Sequence, residues 1–169
     1  LSVMDVRPAL GRAYQAARLR RAEELFLSNQ GWSLEQYRKD GVKLMSPEVY
    51  ARTHQEIANY DFSASILMAG FGEEDDGPAI LSVRNPGVTV DHTKIGFWCI
   101  GSGATAAQTS LFERRYSWNI NAEDATYYVY EAKRRAEAAQ GVGQSTDLYL
   151  IRRRISPMRI GLPFAASSG

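Results

Sequence analysis

The chain has 169 residues, 44% hydrophobic and 23% charged, a composition that fits one globular domain with a substantial core and excludes a disordered or fibrous protein. Twenty Lys and Arg against nineteen Asp and Glu give a net charge of +1, so no overall field favours nucleic acid or an anionic membrane. The single cysteine excludes an intrachain disulfide, and no apolar run approaches the roughly 20 residues of a membrane-spanning helix. We therefore expect a soluble, cytoplasmic protein that forms a single domain over residues 1–169.

The first third of the chain has the periodicity of helices. Apolar residues at helical spacing predict a long amphipathic helix over residues 8 to about 28, with Pro8 in its first turn. A short helix is expected after Ser33, ending near residue 41. A third begins at Ser46, which we expect to be the N-cap before Pro47 at the first helical position, and ends near residue 60.

The middle of the chain has the pattern of short strands. Residues 62–72 predict a largely buried strand, and residues 79–87 predict a second strand that closes in an Asn-Pro-Gly turn. Residues 88–90 and 95–100 continue the sheet, which the short connections predict to be antiparallel. The acidic run at 73–76 lacks the ligand spacing of a calcium loop and is expected to be a solvated loop.

The last third predicts two more helices and a strand. The first helix covers about 104–116, and the second begins after Asn121, an expected N-cap with Glu123 and Asp124 in the first turn, and runs to about 140. A final strand covers 147 to about 153. Helices, a block of antiparallel strands, two more helices and a closing strand indicate an α+β layered domain.

Few other residues indicate chemistry. The two histidines have no partners at metal-ligand spacing, so no metal site is predicted, and His92 is expected in an exposed turn. Cys99 lies in an apolar run and is expected in the core. Arginines at 152–154, and others such as Arg18 on the first helix, are expected to form ion pairs or face solvent rather than bind nucleic acid. No cofactor is predicted.

The order of the motifs resembles that of a known family. FSASILMAGFG, PAILSVRNPGVTV, FWCIGSGATAAQTSL, INAEDATYYVYEAKRRAEAA and TDLYLI follow one another as in the later two-thirds of a proteasome-type subunit, a branch of the N-terminal-nucleophile hydrolases. The shared landmarks, which extend the resemblance over about 8–151, are Gly70, Pro86-Gly87, Gly101-Ser102-Gly103, Ala107, Leu111 and Glu123-Asp124-Ala125. The resemblance implies a four-layer α/β/β/α sandwich of two antiparallel sheets, assembled into rings, here expected to be homo-oligomeric.

The resemblance also implies an activity. Active members hydrolyse peptide or other amide bonds with an N-terminal threonine whose own amine is the general base, because an unassisted hydroxyl is a poor nucleophile at neutral pH. In the family, the strands that carry the nucleophile precede the position that matches about Asp5. We therefore expect those strands and the nucleophile to be absent from this chain. Ser2 is followed by a predicted helix rather than an extended strand, so it does not fit that role. The resemblance is to the bacterial, self-assembling type.

Ser102 has two interpretations. By resemblance it is the serine beside the nucleophile, where it supports proton transfer through a hydrogen bond while Gly101 and Gly103 allow close approach of the backbone. Alternatively it belongs only to a turn and caps the following helix. A phosphate-binding loop is disfavoured, because GSGATA lacks the Lys-Ser/Thr ending of that motif.

Two positions depart from the family pattern. Active members carry an Asp and a Ser that support the nucleophile, and here Ala139 and Val142 occupy those places, although Ser145 or Asp147 substitutes if the loop is shifted. Our first interpretation is therefore a proteasome-like hydrolase subunit. The alternative is a catalytically inactive homologue with a structural, assembly or partner-binding role. A third, distant one is a small-molecule binding protein with a ligand-sized cavity between the sheets.

Overall fold

The computed structural model describes residues 3–72, 77–153 and 155–160. The helices are α1 (Val3–Phe26), α2 (Leu34–Leu44), α3 (Pro47–Asn59), α4 (Ala104–Glu113) and α5 (Ala122–Ala136), with a single 3-10 turn at Ser28–Gln30. The strands are β1 (Ser65–Phe71), β2 (Pro78–Arg84), β3 (Val88–Asp91), β4 (Leu148–Arg152) and β5 (Ile155–Ile160). The α+β class is confirmed. The acidic run at 73–76, Ser2 and Arg154 lie outside the described residues.

The strands form two sheets, and the chain divides into two compact units. One sheet has the order β1-β2-β3, and the other pairs β4 with β5. The first unit, here called the helical unit, contains Met4–Ile66 and Val83–Val90. The second, here called the C-terminal unit, contains Val3 and the described residues of Leu67–Ser82 and Asp91–Gly169. The single domain over 1–169 stays a prediction.

The helix starts in the helical unit are set by local capping, as predicted. The hydroxyl of Ser33 accepts from the amide of Gln36 at 3.1 Å, and the Gln36 side chain accepts from the amide of Ser33 in return. Ser46 accepts from the amide of Val49, and Pro47 follows at the start of α3. Such caps satisfy amides that have no partner inside the helix. The helices enclose a core cluster of Ala22, Leu27, Tyr37 and Ile57.

The expected position of Pro8 is wrong. The helix α1 begins at Val3, so Pro8 lies inside it rather than in its first turn. Proline has no backbone N–H and cannot donate to the carbonyl four residues earlier, so α1 lacks one hydrogen bond at this point. Asp5 lies in the first turn, where the positive end of the helix dipole favours a carboxylate.

Arg18 is buried and structural, which corrects the expectation of an ion pair or solvent exposure. Its side chain is only 8% exposed. The guanidinium donates to the carbonyls of Ile57, Ala58 and Tyr60 at 2.8–3.0 Å and to the Asn85 side chain at 3.1 Å. A positive charge at the C-terminal end of a helix is favourable, because the free carbonyls there carry partial negative charge. Arg18 thus joins α1 to the end of α3 and to the predicted turn after β2.

That turn is confirmed, and its glycine has a steric reason. Asn85 and Pro86 are joined by a cis peptide bond, and Gly87 follows with φ of +125°. A Cβ at Gly87 would lie 2.5 Å from Cγ of Gln15. Only glycine fits both the conformation and the space.

The first strand is less buried than predicted. Most of β1 is exposed or half-buried, whereas Leu81 and Val83 of β2 are fully buried. β2 is the central strand of its sheet, and β1 lies at an edge with a neighbour on one side only. The apolar run over 62–72 therefore overstated the burial.

The strand predicted at 95–100 is not formed. After β3 the chain turns, with the amides of Ile95 and Gly96 donating to the carbonyl of His92, and residues 97–100 have no strand pairing among the described residues. Phe97 is nevertheless buried, in a cluster with Ala107, Leu111, Ala132 and Ala136. The apolar sequence here reflects packing against helices rather than a sheet.

The two late helices and β4 are confirmed with shorter bounds. Asn121 caps α5 by accepting from the amide of Asp124 at 2.9 Å. α4 ends at Glu113 and α5 at Ala136, each earlier than predicted. The strand β5 (Ile155–Ile160) was missed, because the final strand was predicted to end near residue 153 with no strand after it. β5 pairs antiparallel with β4, and the register shifts between Leu150 and Arg152, opposite the segment that contains Pro157. Irregular pairing is where a strand tolerates proline.

Candidate functional site

A tight turn at Gly101, Ser102 and Gly103 leads into α4. Gly101 has φ of +94°, and the amide of Ala104 donates to its carbonyl at 3.1 Å. Gly103 occupies the N-cap position, where no side chain caps the helix. The turn is as predicted, but the suggestion that Ser102 caps the helix is wrong, because Ser102 lies one residue too early.

Gly103 allows the start of α4 to lie against the end of α5. A Cβ at this position would be 2.6 Å from Cβ of Ala136, 3.0 Å from its carbonyl oxygen and 3.1 Å from Cγ2 of Val142. No other residue fits without displacing these atoms. Ser102, in contrast, is exposed, and its hydroxyl has no hydrogen-bond partner within the described part of the chain.

Ser102 lies at the wall of a cavity of about 620 Å³ within the C-terminal unit. The walls come from residues 96–104, from α4 and α5, from the loop at 141–145 and from parts of β1 and β2. Most of the lining is apolar, including Leu67, Ile80, Phe97 and Trp98. Polar side chains come from Ser102, Tyr116, Lys133 and Ser145. This volume and this mixture of groups are typical of a site that binds a small molecule or a substrate side chain.

The loop after α5 passes close to Ser102. Gly141 has φ of +84°, and a Cβ there would lie 3.8 Å from Oγ of Ser102. Val142 packs against the core cluster around Phe97, so an apolar side chain lies beside the glycine turn. Ser145 lines the same cavity as Ser102, whereas Asp147 is ion-paired with Arg159 and is not among the lining residues. Of the two suggested substitutes, the structure brings Ser145 to the cavity.

Lys133 is a charged residue that lines the cavity and bonds to two acceptor groups of the protein. Its ammonium donates to the carbonyl of Gly143 at 2.7 Å and pairs with the carboxylate of Glu137 one helical turn later. The hydrogen bond from Lys133 and the positive charges of Arg134 and Lys133 lower the pKa of Glu137. Lys133 therefore links α5 to the loop that passes Ser102.

Cys99 also lines the cavity and packs half-buried against the core cluster. Burial raises the pKa of its thiol, which disfavours the thiolate. Its carbonyl accepts from the side chain of Gln108 at 3.4 Å. The prediction of a packing role fits this environment better than a nucleophilic one.

His92 is a residue whose environment the sequence reasoning missed. It was expected in an exposed turn, but it is only 3% exposed. Its Nε2 lies 2.8 Å from Oγ of Ser82, and its ring stacks on Trp98 with centroids 3.6 Å apart. Burial lowers the pKa of His92, and the negative charge of Asp91 opposes this in part. The alternation along β3 was a usable signal, since it places residue 92 on the same face as Val90 and opposite Asp91.

These elements define an α+β protein whose candidate site is a mainly apolar cavity with a glycine-flanked serine at its wall. The proteasome subunit family model matches residues 28–146, a range that includes this turn, both late helices and the following loop. The match covers most of the chain, and the chain belongs to the proteasome subunit family. A comparison with curated proteins found no match. Among the described residues, no helix is both long and apolar enough to cross a membrane.

Proposed function

We propose that this chain is a proteasome-like hydrolase subunit that cleaves peptide or other amide bonds, with an N-terminal nucleophile contributed from outside residues 1–169. Family membership supports the class of protein. The observation that carries the activity is the hydroxyl of Ser102, which lies at the wall of the cavity next to Gly141 and has no hydrogen-bond partner among the described residues. A hydroxyl with no internal partner is available to a group that enters the site.

In this proposal Ser102 supports catalysis and is not the nucleophile. Among the described residues that line the cavity with Ser102 there is no histidine, and the Lys133 ammonium is engaged by Gly143 and Glu137, so neither type of group would take the serine proton. Ser102 would instead hydrogen-bond the amine of the nucleophile, and Gly101, where a Cβ would have no atom within 4 Å, would leave room for the reacting groups. Gly103 does not share this role, because Ala136 and Val142 fill the space beside it. The apolar walls would limit water near the reaction, which strengthens hydrogen bonds inside the site.

The larger features implied by the family belong to the same proposal. We propose a four-layer sandwich, assembly into a ring of identical subunits, and a cytoplasmic, bacterial setting. Assembly is measured by light scattering during size-exclusion chromatography of the full-length protein. A mass that is a multiple of the subunit supports the ring, and a strict monomer contradicts it.

One observation favours the alternative, a catalytically inactive subunit with a structural or partner-binding role. Val142 lies beside the glycine turn and packs into the apolar cluster, and Ala139 likewise has no polar side chain. If these positions are the family's supporting Asp and Ser, the site lacks two hydrogen-bonding groups. Ser145, which lines the cavity, is the residue that separates the two functions.

The test uses the full-length gene product. Its N-terminus is sequenced after expression, and the protein is treated with a peptide β-lactone, which acylates an N-terminal hydroxyl or thiol nucleophile. We expect a processed N-terminal Thr, Ser or Cys that carries the label. Ser102→Ala should slow labelling and peptide hydrolysis about ten- to a hundredfold, the loss expected for one hydrogen bond to a charged group.

Ser65→Ala is the matched control, because Ser65 is exposed on β1 and does not line the cavity. It should react at the unaltered rate. An unprocessed N-terminus with no label would contradict the hydrolase and leave the inactive homologue. Equal rates for the two variants would remove Ser102 from the mechanism, even in an active enzyme.

A further inference from the structure

Lys133 makes an unusual connection across the end of α5. From the last turn of the helix its side chain reaches a backbone carbonyl ten residues later, that of Gly143, at 2.7 Å. The same ammonium pairs with Glu137, whose carboxylate is also held by Arg134 at 2.7 Å. Both partners in the Lys133–Glu137 pair are mostly shielded, with side chains 23% and 10% exposed.

The bonded carbonyl belongs to the loop that completes the cavity beside Ser102. On the helix side, the amide of Val142 donates to the carbonyl of Ala139 at 3.2 Å. Among the described residues, residues 143–146 take part in one hydrogen bond, the one from Lys133 to the carbonyl of Gly143. Ser145 lies in this stretch and lines the cavity, so its position depends on how the stretch is attached.

We propose that Lys133 is a positioning residue that fixes the loop at 141–145 against the glycine turn and so sets the place of Ser145 relative to Ser102. The placement of the loop follows from the contacts themselves, and its effect on hydrolysis rests on the proposed function. Lys133 acts through the loop and does not touch the reacting groups.

The chemistry of the Lys133 ammonium, the Glu137 carboxylate and the Gly143 carbonyl suits this role. An ammonium has three donors, so it serves the Gly143 carbonyl and the Glu137 carboxylate at the same time. Bonds from a charged donor are shorter and stronger than neutral ones. Glu137 accepts a second hydrogen bond from the ammonium and so helps to orient it. Loss of the ammonium would leave the carbonyl of Gly143 without this donor and free the loop.

Hydrogen exchange of backbone amides in the full-length protein tests the attachment directly. Lys133→Met keeps most of the side-chain volume but removes every donor. We expect exchange of the Val142 amide, the hydrogen-bonded amide of this loop, to accelerate about three- to tenfold, as loss of one partly exposed charge-assisted hydrogen bond implies. Exchange in α4 should stay unchanged. Lys133→Arg, which retains a charged donor, should restore most of the protection.

Lys94→Met is the control, because Lys94 is an exposed lysine of the same unit that does not line the cavity. It should leave exchange in the loop unaltered. Unchanged loop exchange in folded Lys133→Met overturns the inference, as does a rise that Lys133→Arg does not reverse. If Lys133→Met does not fold, Lys133→Leu, which likewise has no donor, replaces it, and unchanged loop exchange in that variant again overturns the inference.

Kinetics separate this inference from the proposed function. In an active enzyme, Lys133→Met should lower kcat about tenfold with little change in KM, because it misplaces a supporting group rather than removing substrate contacts. The double variant Lys133→Met/Ser102→Ala should lose less kcat than the product of the two single-variant losses, since both residues act on the same site. An unaltered kcat would overturn the link to hydrolysis. If no hydrolysis occurs at all, the proposed function fails, while exchange still decides whether Lys133 fixes the loop.

Discussion

Arg18 in the helical unit and Ser102 in the C-terminal unit show two different uses of polar side chains. The Arg18 guanidinium is buried and donates to three carbonyls and a side-chain amide oxygen. Ser102 is exposed at a cavity and has no partner among the described residues. Ser110 of α4 is fully buried and also lacks a partner there. The comparison indicates that Arg18 contributes to stability through its partners, whereas the exposed hydroxyl of Ser102 is available to a group that enters the cavity.

The largest effect is expected at Arg18. Arg18→Ala should lower the free energy of unfolding by about 3–4 kcal/mol, because the buried carbonyl of Ile57 and the partly buried carbonyls of Ala58 and Tyr60 lose their donor at once. Urea denaturation of Arg18→Ala and of a control, Arg20→Ala, measures the free energy of unfolding. Arg20→Ala is the control, since Arg20 lies on an exposed position of α1 and should change stability by less than about 0.5 kcal/mol. Similar losses for both variants would contradict a structural role specific to Arg18.

Gly103 tests the packing that supports the site. Gly103→Ala should lower the free energy of unfolding by about 2–3 kcal/mol, because the new Cβ would lie 2.6 Å from Cβ of Ala136. Gly70→Ala is the matched control in the C-terminal unit, since no atom lies within 4 Å of a Cβ built there. Thermal unfolding compares the two. A neutral Gly103→Ala would show that the α4 and α5 contact adjusts freely, against the close packing described above.

Acid sensitivity is expected from His92. A histidine whose folded-state pKa is lowered stabilises the fold above its unfolded-state pKa of about 6.5, and the stability is lost as the pH falls through the folded-state value. Unfolding free energies between pH 8 and pH 5 should therefore decrease toward acid. His92→Gln should flatten this slope, whereas His54→Gln, which replaces an exposed histidine, should not. If the unfolding free energy depends on pH equally steeply in both variants, the buried environment assigned to His92 is contradicted.

The smallest effect is expected at Ser110, and it has the opposite sign to that at Arg18. Ser110→Ala should raise the free energy of unfolding by about 1 kcal/mol, because it removes a buried hydroxyl that has no partner in the described part of the chain. Alanine also favours a helix more than serine does. Calorimetry measures the change. A lower free energy of unfolding for Ser110→Ala would indicate that the Ser110 hydroxyl makes a hydrogen bond, and would weaken the contrast with Arg18.

Local features were predictable from the chain alone. Ser33, Ser46 and Asn121 were expected at helix starts, and each accepts a hydrogen bond from an amide of its own helix. The Asn-Pro-Gly turn and the glycine turn around Ser102 were likewise expected. Such features depend on residues within a few positions of one another, so they are visible in a single sequence.

Features that depend on distant residues were harder to predict. The apolar run at 95–100 has the composition of a buried strand, but its burial comes from helices that begin several residues later. Arg18 has the composition of a surface residue, yet its partners lie about 40 residues away or more. His92 was predicted to be exposed because the stretch VDHTK around it is typical of a turn, although residue 92 also continues the alternation of β3.

By itself, the sequence determined the α+β class, the helix starts, the glycine turn and the resemblance to the proteasome family, because short-range capping, turn chemistry and ordered motifs carry that information. The tertiary structure decided which polar groups have hydrogen-bond partners among the described residues and which do not. It buried Arg18 and His92, placed Ser102 and Ser145 at one cavity, and brought Lys133 to the carbonyl of Gly143. Those outcomes depend on which distant backbone and side-chain groups meet, and no spacing in the chain specifies them.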